Sequence, residues 1–317
     1  MFKGIAYAIG ACGIWGLIFI VPQFMEGFSA IEIAIGRYLF YGLVSSLILL
    51  RSGFKGLVRY PWSIWKKALG FSLLSSIVYY SFVVFALRYS TPAICALVLG
   101  VSPITISFYG NWKEKEHHFK SLLIPSFLIL SGLAIINTPQ IMQTPSPSTY
   151  MLGLICAFWA LLIWSWFAVA NAGFLKNHPE VASNDWSTLI GVSSLLWVMV
   201  LSGILCFCFA EHFEVEKYFI YSESLRGFLV GSAILGLLCS WVGFFLWNRA
   251  SCYLPVSLAG QLMIFETVFG LLFFYLIDRN IPSTEEVIGI SLFLIAIVYG
   301  IRSSSKLSEE KGKAISS

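Results

Sequence analysis

Charge is what this chain of 317 residues has least of. Asp, Glu, Lys and Arg make up 11% of it, less than half the ~25% of an ordinary globular domain. A water-soluble fold with a charged surface is therefore excluded. Histidine is scarcer still. The four that occur (His117, His118, His178 and His212) all lie between apolar runs, so nothing resembles a histidine proton relay or an intramembrane metallopeptidase. No G-x-x-x-x-G-K-[ST] is present, and nucleotide hydrolysis is not expected to power this chain. The excess of 20 basic over 16 acidic residues is small and suggests no nucleic-acid partner. Of the seven cysteines, Cys206 and Cys208 are spaced C-x-C, but no second ligand pair accompanies them. No metal or other cofactor is expected, and the cysteines read as reduced packing residues.

What fills the chain instead is apolar sequence, 58% of the total. Ten apolar runs lie near 4–24, 31–50, 67–87, 91–110, 120–138, 150–174, 186–210, 226–247, 253–277 and 285–302. Each approaches the roughly 20 residues that cross a ~30 Å hydrocarbon core. The first has no A-x-A cleavage pattern after it and reads as a transmembrane helix, not a signal peptide. The predicted fold class is an all-α polytopic membrane protein, with ten transmembrane helices as two inverted five-helix repeats. The expected division is 1–138 and 150–302 for the two halves, 139–149 for an extracytoplasmic linker, and 303–317 for a disordered cytoplasmic tail.

Lys and Arg orient the spans. With the N-terminus inside, 15 basic residues fall on the cytoplasmic side and four (Arg88, Lys217, Arg226, Arg279) outside, with Arg37 within span 2. The positive-inside rule thus predicts an inner (plasma) membrane protein with both termini cytoplasmic. Five spans per half would place the second half upside down relative to the first, as alternating access requires. A weak repeat agrees: an offset of 163 sets Pro92 on Pro255, Phe82 on Phe245, Ala96 on Ala259 and Pro103 on Glu266. An offset of 149 sets Gly4–Trp15 on Gly153–Trp164.

These features resemble the drug/metabolite transporter superfamily, in its EamA-type branch. The matching residues are Trp15-Gly16 in span 1, Arg37 in span 2, FALRYSTPAICALVLGVSPI (Phe85–Ile104) across spans 3 and 4, Pro255 opening span 9, and EEVIGISLFLIAIVYG (Glu285–Gly300) at the end. The resemblance implies a secondary transporter, not an enzyme. It also implies a substrate cavity between spans 1, 3, 4 and spans 6, 8, 9. Glu266 departs from the pattern, since members often carry a proline there.

Helical spacing then proposes which side chains line that cavity. On span 9, Leu258, Leu262, Glu266, Phe269 and Phe273 share a stripe. Spans 8, 6 and 1 contribute Trp241, Phe245 and Asn248; Trp164, Ala168 and Asn171; and Ala11, Trp15 and Ile18, while span 3 offers Tyr79 and Tyr80. The candidate substrate-binding set is Glu266, Trp15, Trp164, Tyr79, Tyr80, Trp241, Asn248, Asn171 and Arg37. An aromatic chamber with one carboxylate suits a small cationic or zwitterionic solute. Glu266 is also the proton-coupling candidate, because an acid at that depth is costly unless it works or packs two helices. Arg37 has a plainer alternative: two turns from the outer end of span 2, it could snorkel to the interface and pair with Glu32. Gln261 is expected to face away from Glu266. Pro103 is the expected helix kink. The expected partners are a small-molecule substrate, protons as a candidate coupling ion, and membrane lipid. A monomer is compatible with the pattern. The leading function is export of a small organic metabolite such as an amino acid or amine. Export of cationic drug-like compounds, a membrane enzyme or a non-transporting membrane protein are the alternatives.

Overall fold

A computed structural model describes residues 1–53, 59–90, 92–114, 119–141, 147–208, 218, 222–279 and 281–316. Most of those residues are helical, with no strand among them. Ten helices are long and apolar enough to cross a membrane: Phe2–Phe24, Ala30–Arg51, Trp62–Tyr89, Cys95–Glu114, Lys120–Thr138, Tyr150–Asn177, Ser183–Ile204, Glu223–Tyr253, Val256–Ile277 and Thr284–Ser303. They are spans 1 to 10 below. The outer surface is apolar: Leu47, Phe127, Met199 and Leu276 are each at least 60% exposed. Water would make that surface an aggregation site, whereas lipid solvates it.

Two expectations at the ends of the halves differ. The segment 139–149 is shorter as a linker, because helix runs to Ile141 and resumes at Pro147. The final helix extends Thr284–Ser316, so the tail read as disordered continues the helix of span 10. Several basic residues used for orientation, such as Lys55 and Lys115, lie outside the described residues.

The packing between halves is regular. Span 1 packs on span 8 and span 6 on span 3; span 2 packs on 7, span 4 on 9, and span 5 on 10. Lesser contacts follow suit, with 2 on 8 matched by 7 on 3, and 1 on 9 by 6 on 4. With little hydrophobic drive between helices in lipid, such crossings depend on small residues and hydrogen bonds. Spans 5 and 10 meet at Gly132 and Gly289, where a Cβ on either would sit 3.0 Å from the other's carbonyl oxygen.

Departures from ideal helix recur in both halves. Span 3 is α-helical over Trp62–Ser72 and Tyr79–Tyr89, with a π turn at Leu73–Val78 between. Span 8 repeats this with Glu223–Ala233, π-helical Ile234–Val242 and Gly243–Tyr253. Spans 4 and 9 tighten instead: Val101 N bonds Val98 O and Ile104 N bonds Val101 O, while Met263 N bonds Gly260 O and Glu266 N bonds Met263 O. Span 4 therefore breaks two residues before Pro103, which opens the helix Ser102–Glu114. Span 9 breaks in the same way without a proline. Overlaying Val101 on Met263 needs an offset of 162, so Glu266 corresponds to Ile104, and Pro103 to Phe265.

Candidate functional site

The centre of the bundle is built around span 1. Trp15, 3% exposed, donates from Nε1 to the Cys239 carbonyl at 2.8 Å. Cys239 lies in the π segment of span 8, and its thiol donates back to Ile14 O at 3.4 Å. Cys12 donates to Leu262 O of span 9 at 3.5 Å. The next residue, Gly16, lets span 9 come close: a Cβ there would lie 2.8 Å from Phe269 Cβ. The result ties spans 1, 8 and 9 together at one level.

Aromatic rings extend from Trp15 across both halves. Trp164 of span 6 stands edge-on to it at 6.3 Å, and Tyr79 of span 3 lies 5.2 Å from Trp164. Phe244 and Trp247 close the other side at 6.0 and 5.5 Å. Against these rings sit the two charges. Glu266 interacts electrostatically with Arg37, Cys12, Tyr79 and Cys239.

Arg37 does not snorkel and does not pair with Glu32. Its Nε donates to Ser240 Oγ at 2.9 Å, which draws the guanidinium into the bundle, with Tyr38 5.5 Å from it. Glu32 is taken by other partners. It accepts from Ser29 N and Oγ as the N-terminal capping box of span 2, and from Tyr218 Oη at 2.5 Å. A cap satisfies the free N–H groups of a helix start, and a carboxylate engaged that way has little left for Arg37.

Glu266 and Arg37 are half-buried. No side chain hydrogen-bonds the Glu266 carboxylate among the described residues, and the only such bond of Arg37 is through Nε. The burial changes sharply here. Every residue of Val256–Leu262 is buried, whereas Phe265–Phe269 all retain accessible surface.

Other expected site residues lie elsewhere. Asn171 and Asn248 are fully buried and bonded to each other, Asn171 Nδ2 donating to Asn248 Oδ1 at 2.8 Å. Trp186 Nε1 donates to Asn171 Oδ1 at 2.7 Å, and Asn248 Nδ2 donates to Ser187 Oγ at 3.0 Å. They join spans 6, 7 and 8 without facing the chamber. Trp241 stacks on Phe245 at 6.0 Å and donates to Thr188 Oγ1 at 3.1 Å, toward span 7. Tyr80 stands at the outer edge, its hydroxyl donating to Ala30 O at 3.0 Å. Leu258 and Leu262 are buried below the acid, with Phe269 and Phe273 above it. Gln261 turns to Gly300 of span 10, away from Glu266.

The error on span 8 has a cause. A π segment takes more residues per turn than the 3.6 of an α-helix, so stripes counted through it rotate off their true face. The face toward span 2 therefore carries Ser240, which stripe counting missed; its only sequence signal is a hydroxyl at mid-span.

Comparison with known proteins agrees with this architecture. The EamA-like transporter family matches over residues 2–138. Inner membrane protein YtfF of Escherichia coli (strain K12) is 28% identical over 312 residues, covering 95% of this chain and 96% of that protein. Uncharacterized transporter YyaM of Bacillus subtilis (strain 168) is 20% identical over 117 residues, 37% of this chain and 38% of that one. A crystal structure of another protein, 18% identical, superposes with a TM-score of 0.77 over 97% of this chain and 99% of that chain, which establishes the shared fold. The protein is an integral membrane protein whose relatives point to a transporter and not an enzyme. Residues 2–138 are similar to the EamA-like transporter family, and among the described residues ten helices are long and apolar enough to cross a membrane.

Proposed function

We propose that the protein is a secondary transporter of a small zwitterionic metabolite such as an amino acid, working by alternating access between two inverted halves. One arrangement supports the substrate class: Arg37 and Glu266 are both half-buried and attract each other beside the Trp15–Trp164–Tyr79 ring cluster, each with hydrogen-bonding capacity unspent. Arg37 suits a carboxylate, which its planar fork can grip at two points. Glu266 suits an ammonium group, with Trp15, Trp164 and Tyr79 adding cation–π contact. A chamber holding both signs is close to neutral, which weakens the case for a simple organic cation. Glu266 is also the group proposed to carry the coupling proton.

The symmetric packing of the halves and their repeated π turns and helix breaks support the inverted arrangement. The buried inner half of span 9 and the accessible stretch beyond it support a chamber reached from the extracytoplasmic side. Export as the net direction rests on the family resemblance. The test is uptake of labelled amino acids into proteoliposomes under an imposed pH gradient. Wild-type protein is expected to concentrate at least one of them, while Glu266→Gln and Arg37→Gln lose it. Full proton-coupled activity in Glu266→Gln would sink the reading.

A further inference from the structure

A groove of about 770 Å³ lies away from the chamber, between the start of span 3 and the ends of spans 4 and 6. Its rim carries Lys66, Lys67, Lys113 and Lys176. Lys176 is paired with Glu114 at 2.5 Å, so the net positive charge comes from the other three, all exposed. The floor is apolar, formed by Phe71, Leu74 and Trp166. Trp166 is 42% exposed, and its ring lies 5.8 Å from Phe71. Glycines on facing helices keep the groove open: a Cβ at Gly70 or Gly173 meets nothing within 4 Å.

We propose that this groove binds an anionic phospholipid, with the phosphate among the lysines and the first part of an acyl chain over the aromatic floor. The position suits that ligand, because helix ends lie at headgroup level and the floor continues toward the hydrocarbon. Basic pockets between membrane helices on that side are where anionic headgroups gain most. A free anion would leave the floor unused, and a zwitterionic lipid would gain no net attraction from the rim. The site shares no residue with the chamber, so it stands whether or not the transport proposal holds.

The test is thermal unfolding of the purified full-length protein, stripped of lipid in mild detergent. Phosphatidylglycerol, phosphatidylcholine and inorganic phosphate are titrated separately. Phosphatidylglycerol is expected to raise the Tm saturably, and the other two are not. Replacing all three exposed lysines (Lys66→Ala, Lys67→Ala, Lys113→Ala) should weaken the response by about 100-fold, from the roughly fivefold that each surface cation contributes. Gly173→Trp, which plugs the groove and keeps every lysine, should abolish it. An equal response to phosphatidylcholine overturns the proposal, as does an unchanged response to phosphatidylglycerol in the lysine variant. A response to phosphate alone reassigns the groove to a soluble anion. Should Gly173→Trp fail to fold, the lysine variant decides, since its substitutions are all at exposed positions.

Discussion

Arg37 and Glu266 hold the largest single-residue consequences. An ion at this depth is tolerated when a counter-charge and hydrogen bonds compensate it, and removing one partner leaves the other exposed to the full desolvation cost. Arg37→Gln should therefore lower stability by about 3 kcal/mol. Adding Glu266→Gln should recover part of that loss, because no uncompensated carboxylate remains. Thermal unfolding of the two single variants and the double variant measures the coupling. Effects that add to within about 0.5 kcal/mol would show that the two groups do not interact. The buried asparagine pair predicts a different outcome. Asn171→Ala strands Trp186 Nε1 and Asn248 Oδ1, which should cost about 1–3 kcal/mol. Since neither asparagine faces the chamber, the KM for transported substrate should stay as in the wild type.

At the scale of elements, the functional geometry comes from irregular helix. The π segment Ile234–Val242 presents Ser240 to Arg37 and the Cys239 carbonyl to Trp15. Where spans 1 and 9 cross at Gly16, Gly16→Leu should separate them at the level of Glu266 and abolish transport, while a circular dichroism spectrum stays helical. The inner ends of the halves are tied by a separate cluster. Tyr60 donates to Asp185 Oδ2 at 2.6 Å, and Arg59 pairs with the same carboxylate at 3.1 Å. Burial first, then the bond to Asp185, push the Tyr60 phenol up from 10 to about 12. Its ordinary value being lower, the contribution of this phenol to stability is complete below about pH 10 and is lost as pH rises through about 12. Unfolding followed across that window should be less pH-dependent in Tyr60→Phe. A slope identical to wild type would remove Tyr60 from the latch.

For the whole molecule, the bias of basic residues supports our proposal that the ten candidate spans leave both ends of this chain on the cytoplasmic side. Reporter fusions at the C-terminus should be active only as cytoplasmic reporters. Fusions within 139–149, five spans in, should report the opposite side. The reverse pattern would overturn the orientation and, with it, the outward opening of the chamber. The match of contact pairs on exchange of the halves is a property of the assembled chain. Nothing in any one span contains it.

Span number and approximate span limits could be read from the sequence, because lipid imposes its demand on each segment separately. Tertiary structure alone decided that Arg37 bonds Ser240, 203 positions away in the chain, because the two meet only when spans 2 and 8 assemble. It also decided that Asn171, Asn248 and Trp241 serve packing. On span 8 hydropathy carries no sign of the π turn that rotates a stripe counted at 3.6 residues per turn, and on span 6 Asn171 is engaged by Trp186 and Asn248 of other spans, which its own stripe does not show.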